Sequence, residues 1–157
     1  METSFKTHLE THFPFIKDAK LLIACSGGLD SVVLTYVLKK LEYTIALAHC
    51  NFSLRGTESD EDALFVEKLA EQLGVPFYLE KFDTQKIAEE HKLSTQMAAR
   101  ELRYAWFDEL RREHEYDYVI TAHHADDAME TFFINLSRGT GLRGLTGIPD
   151  QKYGPKR

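Results

Sequence analysis

One run in this chain has the residue types to hold a polyanion: Ser26-Gly27-Gly28-Leu29-Asp30-Ser31. Two adjacent glycines permit a turn with positive φ and let a ligand come close to the backbone N–H groups. Ser26 and Ser31 add hydroxyl donors. Lys20 to Cys25, just before the run, is apolar and of strand length; Val32 to Leu41, just after it, is long enough for a helix. A helix starting there points its unpaired N–H groups and the positive end of its dipole at the turn. Strand, glycine turn and helix together predict a cradle for phosphates. The chain contains no GxxxxGK followed by Ser or Thr, which excludes the common triphosphatase loop. The competing reading is an ordinary glycine turn between a strand and a helix.

Further polar groups fall where the next strands should end. His49 sits at the end of the apolar stretch Tyr43 to Cys50 with Asn51 and Arg55 just past it, and His123-His124-Ala125-Asp126-Asp127-Ala128-Met129-Glu130 follows Tyr118 to Ala122. Acidic residues favour the first turn of a helix without any function, which alone would account for Asp126, Asp127 and Glu130. Asp30 and Asp127, however, both lie just past strand ends. Carboxylates beside a triphosphate repel it unless a cation intervenes, and Mg²⁺ takes one or two carboxylates together with phosphate oxygens. Asp30 and Asp127 are therefore the expected Mg²⁺ ligands, with Asp126 or Glu130 as the alternatives. Arg100 and Arg103, spaced i, i+3 on a long helical stretch, either pair with Glu101 and Asp108 on a solvated face or offer cations to a phosphate or a nucleic acid.

The elements that must position these groups alternate. A short helix over residues 3–13 precedes the first strand. A second strand spans Tyr43 to Cys50, and Ser59 reads as the N-cap of a following helix, with Asp62 completing a variant capping box. Val66, Leu69, Ala70 and Leu73 repeat at helical spacing, and Gly74 fits the helix end. A third strand spans Val75 to Phe82. Helices follow over 84–92 and from Ser94 to Glu113, the longer one with Ala98, Leu102, Ala105, Trp106 and Leu110 on one face. A fourth strand covers Tyr118 to Ala122, and His123 onward opens a helix with Met129, Phe132, Phe133 and Leu136 as its buried stripe. This alternation predicts an α/β fold: a doubly wound parallel sheet with helices on both faces, binding ligands beyond the carboxyl ends of its strands. The GxGxxG within Arg138 to Gly144 is set aside as a dinucleotide fingerprint because, in this reading, it follows a helix.

Length and composition set the outer bounds. The 157 residues suit one domain, and the 43% hydrophobic and 28% charged content is ordinary for a globular protein. No apolar run is long enough for a membrane span, and the start lacks a secretory core. Cys25 and Cys50 form no C-x-x-C, and a cytoplasmic location is expected. The net charge of −6 divides unevenly: residues 138–157 carry +4 and residues 1–137 carry −10. The basic end is either solvated or faces phosphate.

The Ser-Gly-Gly-x-Asp-Ser form resembles the PP-loop of the ATP pyrophosphatases. Five motifs in order extend the likeness: Ser26–Ser31; His49-x-Asn51-x-x-Leu54-Arg55-Gly56-x-x-Ser59-x-x-Asp62; Ala99-Arg100-x-x-Arg103-Tyr104; Thr121-Ala122-His123-His124-x-x-Asp127-x-x-Glu130-Thr131; and Arg138-Gly139-x-Gly141-x-x-Gly144-Leu145-x-Gly147. Together they resemble the N-terminal domain of the tRNA(Ile)-lysidine synthetases. The resemblance implies an adenine-nucleotide alpha hydrolase-like, Rossmann-like fold. It implies ATP on Ser26, Gly27, Gly28, Leu29, Asp30 and Ser31 with His49, Asn51 and Arg55, Mg²⁺ on Asp30 and Asp127, and Asp30, Asp127, His123 and Arg100 in catalysis. The partners it implies are a tRNA(Ile) with a CAU anticodon and free L-lysine, with a homodimer left open and no membrane. The implied reaction adenylates the wobble cytidine at its C2 oxygen, then replaces AMP with the amine of lysine. His123, His124 and Glu130 are alternative bases for that amine. Members of the family continue past position 157, so the chain is expected to be an N-terminal domain cut before its end, without C-terminal tRNA-binding domains. A tRNA thiolase, an amide-forming ligase and a non-catalytic ATP-binding module are the alternatives.

Overall fold

The computed structural model describes residues 2–124, 132–137 and 146–147. Its helices are α1 (Glu2–His12), α2 (Leu29–Lys40), α3 (Thr57–Leu73), α4 (Thr84–His91) and α5 (Thr95–Glu113). Its strands are β1 (Lys20–Ala24), β2 (Thr44–Asn51), β3 (Phe77–Lys81), β4 (Tyr118–His124), β5 (Phe132–Ser137) and β6 (Thr146–Gly147). They form one sheet in the order β3-β2-β1-β4-β5-β6. The first four are parallel, as the alternating pattern predicts, with Leu21 paired to Ile45 on one side and to Tyr118 on the other.

Central strands buried on both faces need apolar residues at consecutive positions, and β1 supplies Leu21, Leu22 and Ile23, all fully buried. Alternation sends Leu21, Ile23, Ile45 and Leu47 to one face, where Leu34 and Leu38 of α2 and Val66 and Leu69 of α3 pack on them. Leu22, Ala46, Ala48 and Val119 point to the other face, under Phe107 and Leu110 of α5. The difference in side-chain size matters: toward the carboxyl ends, the α5 face of β1 and β2 carries Ala24, Ala46 and Ala48 where the opposite face carries leucine and isoleucine. That leaves room beneath α5 at the carboxyl ends of the strands. The same order makes a switch point there, because β1 connects outward to β2 while the chain leaving β3 crosses back to β4 on the far side of β1. Among the described residues no helix is long and apolar enough to cross a membrane.

Two expectations about elements change. Residues Phe132–Ser137 form a strand antiparallel to β4, from Val119 opposite Ser137 to His124 opposite Phe132, not a helix with a Phe132, Phe133 and Leu136 stripe. A short apolar run fits either period, and the aromatic and β-branched Phe-Phe-Ile favours the strand once an open sheet edge lies beside it. Among the described residues the sheet thus has six strands where the sequence predicts four. The run 139–144 then falls in sequence between two antiparallel strands, β5 and β6, and lies outside the described residues. Ser59 is not the N-cap of α3. Gly56 is, with φ 55° and ψ −125°, a conformation suited to glycine, and Ser59 Oγ accepts the Arg55 N–H at 3.1 Å from inside the first turn. The other ends follow the sequence: Ser94 Oγ caps α5 by accepting the Met97 N–H at 3.1 Å, and Gly74 closes α3 in the left-handed conformation.

Candidate nucleotide-binding site

The Ser26–Ser31 turn is held from within. Gly27 has φ +92°, which only glycine adopts cheaply. Gly28 has φ −75° and serves as the N-cap of α2 without any side-chain cap. The first intrahelical bond runs from the Val32 N–H to the Gly28 carbonyl at 3.1 Å, so the N–H groups of the first turn precede the helix ladder and face the turn. Ser31 is buried and anchors the loop rather than offering a donor. Its Oγ accepts the Ser26 N–H at 3.2 Å and donates to the Gly28 carbonyl at 3.1 Å. Ser26 Oγ in turn accepts the Gly28 N–H at 3.2 Å. Ser31→Ala is expected to cost about 1–2 kcal/mol in urea unfolding, from the Ser26 N–H left unpaired and the Gly28 carbonyl left with the Val32 N–H alone, and to weaken ATP binding by loosening the turn. Unchanged stability would exclude the anchoring role.

Next to the turn, His49 is 4% exposed and donates from Nδ1 to the Cys25 carbonyl at 2.8 Å. A carbonyl can only accept, so in the neutral ring the other nitrogen carries the lone pair. Burial holds its pKa below the usual 6.5, against the opposing pull of the Cys25 carbonyl and the Asp62 charge. Below pH 6.5 the unfolded chain therefore binds a proton that the folded chain resists, so His49 lowers stability as pH falls through 6.5 toward its depressed folded value. The urea midpoint is expected to fall between pH 8 and pH 5.5, and His49→Gln is expected to flatten that slope; an identical slope in the variant would exclude His49 as the cause.

Turn and histidine open into a cavity of about 660 Å³ at the switch point, bounded by the ends of β1, β2 and β4 and by α5. Arg100 and Arg103 line it, each 5.3 Å from the Tyr104 ring. The solvated-face alternative would pair them with Glu101 and Asp108. Instead Asp108 binds Arg111 and Arg112, and among the described residues no ion pair engages Arg100 or Arg103. Two half-buried guanidinium groups that no described carboxylate pairs, in a cavity beside an uncapped helix start, suit an anion.

A family model described as a PP-loop domain matches residues 1–156. The chain belongs to the PP-loop family. Proteins curated as tRNA(Ile)-lysidine synthase are similar to it. The one from Porphyromonas gingivalis strain W83 is 56% identical over 132 residues, which is 84% of this chain and 29% of that protein. The Bacteroides thetaiotaomicron protein is 46% identical over 90% of this chain and 33% of its own length. The Chlorobaculum tepidum protein is 44% identical over 82% of this chain and 40% of its own. The chain thus spans 29% to 40% of the length of these relatives.

The PP-loop domain brings together Ser26, Ser31, His49, Asn51, Arg55 and Arg100 around one cavity. Besides Ser31, two of these already have internal partners. Asn51 is 4% exposed and spends its side chain on the connection to α3, donating to Asp60 at 2.8 Å and accepting the Ser53 N–H at 2.9 Å. Arg55 pairs with Asp62 and with Glu58, so a ligand anion must compete for it. Leu29 is 60% exposed and holds its place by its backbone. Gly27, Gly28, Leu29 and Asp30 form the turn beside the cavity rather than its lining, with Asp30 half-buried in the first turn of α2. His123 lies in β4, and Asp127 falls outside the described residues. Among the described residues no cluster of three or more His, Cys, Asp or Glu could hold a metal alone.

Sequence reading missed Cys50, Phe107 and Thr121 as lining residues. For Phe107 a signal existed: Arg100, Arg103, Phe107 and Leu110 sit at i, i+3, i+7 and i+10. This is the face of α5 that runs from the cavity into the core, whereas Ala105 of the expected stripe is exposed. Cys50 had none; burial pushes its thiol up to about 12, so it lines the cavity as a neutral group.

Proposed function

We propose that this PP-loop domain is the adenylating part of a tRNA(Ile)-lysidine synthase. The observation that carries the reading is the uncapped α2 terminus standing beside a cavity lined by two guanidinium groups that, among the described residues, have no carboxylate partner. ATP would lie with its β and γ phosphates on the Ser26–Ser31 turn and its α phosphate near Arg100. The C2 oxygen of the wobble cytidine attacks the α phosphorus, the bond to pyrophosphate breaks, and the N–H groups of the turn and the arginines stabilise the departing charge. The neutral amine of L-lysine then attacks C2 of the adenylated base and AMP leaves, its proton passing to a base for which His123 is the proposed residue. A tRNA(Ile) with a CAU anticodon, free lysine and ATP make the cytoplasm the setting of this reaction.

Mg²⁺ fits the site in part. Asp30, in the first turn of α2, offers one carboxylate beside the phosphates, Asp127 is proposed as the second, and phosphate oxygens complete such a shell. When bound, the ion would neutralise phosphate charge. Asp30→Asn is expected to weaken Mg²⁺-dependent ATP binding about 10-fold, with unchanged thermal stability. Loss of stability without loss of the Mg²⁺ effect would assign Asp30 to the helix start alone. The proposal as a whole predicts that pyrophosphate release from ATP requires both the tRNA and lysine, and that lysidine appears in the digested tRNA. Release that ignores lysine, or ATP binding with no release in any mixture, would replace it with another PP-loop chemistry or with a binding module.

A further inference from the structure

Thr121 Oγ1 is buried and meets no hydrogen-bond partner among the described residues. Buried polar groups are almost always paired, and an unpaired hydroxyl costs about 1–3 kcal/mol. Thr121 also lines the 660 Å³ cavity, near the end of β4 and on the same face as Val119, beneath α5. Alternation places Ala24, Ala48 and Cys50 on that same face of β1 and β2. With Phe107 from α5 they make a floor without charge, since the Cys50 thiol stays protonated. Arg103 acts on that thiol and so marks where the floor meets the charged part of the cavity. Phosphates have their own holders in the turn and the arginines. The uncharged floor suits the other half of a nucleotide, and its one unsatisfied polar atom suits the ring or sugar edge of that half.

We infer that Thr121 is a recognition residue for the nucleoside part of the bound nucleotide, its hydroxyl completing its hydrogen bonding only when that part occupies the floor. This rests on the ATP-binding reading above. The test measures AMP, pyrophosphate and ATP binding by calorimetry to the purified chain, with Thr121→Val, which keeps the shape and removes the hydroxyl, and Thr121→Ser, which keeps the hydroxyl. Thr121→Val is expected to weaken AMP about 10-fold, equivalent to about 1.4 kcal/mol. Pyrophosphate affinity should stay within about two-fold, and the melting temperature should be equal or higher, because an unpaired buried hydroxyl has gone. Thr121→Ser is expected to restore AMP affinity. AMP affinity unchanged in Thr121→Val overturns the inference, as does a parallel loss of pyrophosphate affinity or a fall in melting temperature. If the wild-type chain binds no ATP, the nucleotide reading falls with it; wild-type ATP binding beside an unaffected variant removes only the role of Thr121.

Discussion

Gly28→Val is expected to fold normally and to lose at least 100-fold in ATP affinity, while Gly27→Ala is expected to lose stability. The two adjacent glycines differ in backbone. Gly28 has φ −75°, which any residue adopts, and among the described residues a Cβ built there meets only Ser26 Oγ, at 3.4 Å. Its side chain would therefore be accommodated by the fold but would stand at the N-cap of α2, where phosphate oxygens must reach the first-turn N–H groups. Losing two such charge-assisted hydrogen bonds at about 1.5–3 kcal/mol each gives the expected factor. Gly27 has φ +92°, and its Cβ would lie at ordinary contact distance from Val66, 3.5 Å, so the cost there is backbone strain of about 1–3 kcal/mol rather than a clash. Calorimetry with ATP and thermal unfolding of both variants separate the two effects. ATP binding as tight in Gly28→Val as in the unaltered chain would place the phosphates elsewhere.

Replacing both Arg100 and Arg103 with alanine is expected to weaken ATP by about 100-fold and to flatten its salt dependence, with little change in stability. No described carboxylate pairs with either group, so removing them leaves no buried anion behind. Each is tied to Tyr104 by a cation–π contact worth about 0.5–1 kcal/mol at such a site, a small loss to the fold. The pair also removes two like charges one helical turn apart. Arg100→Lys should recover part of the affinity, since a lysine supplies charge without the planar fork. A double variant that binds ATP unchanged at low salt would return these residues to the solvated face.

The glycine turn was legible because its geometry is local: strand, two glycines, a serine and a helix start within a dozen residues fix both the backbone path and the N–H groups it presents. The parallel strands were legible for a similar reason, since burial on both faces demands unbroken apolar runs and leaves a pattern few other structures share. The edge of the sheet was not. Phe132 to Leu136 satisfies a helical stripe and a strand equally well, and what decides is an unpaired β4 edge that only the assembled sheet provides. Ser31 and Asn51 show the same limit within the site. Their types suit ligand contact, yet their side-chain groups are taken by Gly28, Ser26, Ser53 and Asp60.

By itself the sequence determined the parallel α/β core, the turn that can hold phosphates, and the residue types waiting at the ends of the strands. Only the tertiary structure decided which of those residues share a space. The crossover from β3 to β4 opens the switch point, and the alanines on one face of β1 and β2 leave it unfilled. The pairing of Asp108 with Arg111 and Arg112 leaves Arg100 and Arg103 for the cavity. Thr121 joins them because three strands far apart in sequence present the same face under α5. The reason is physical: bonding along the chain sets what a segment can be, whereas burial, pairing and vacancy are settled between segments, where no single stretch of sequence carries the answer.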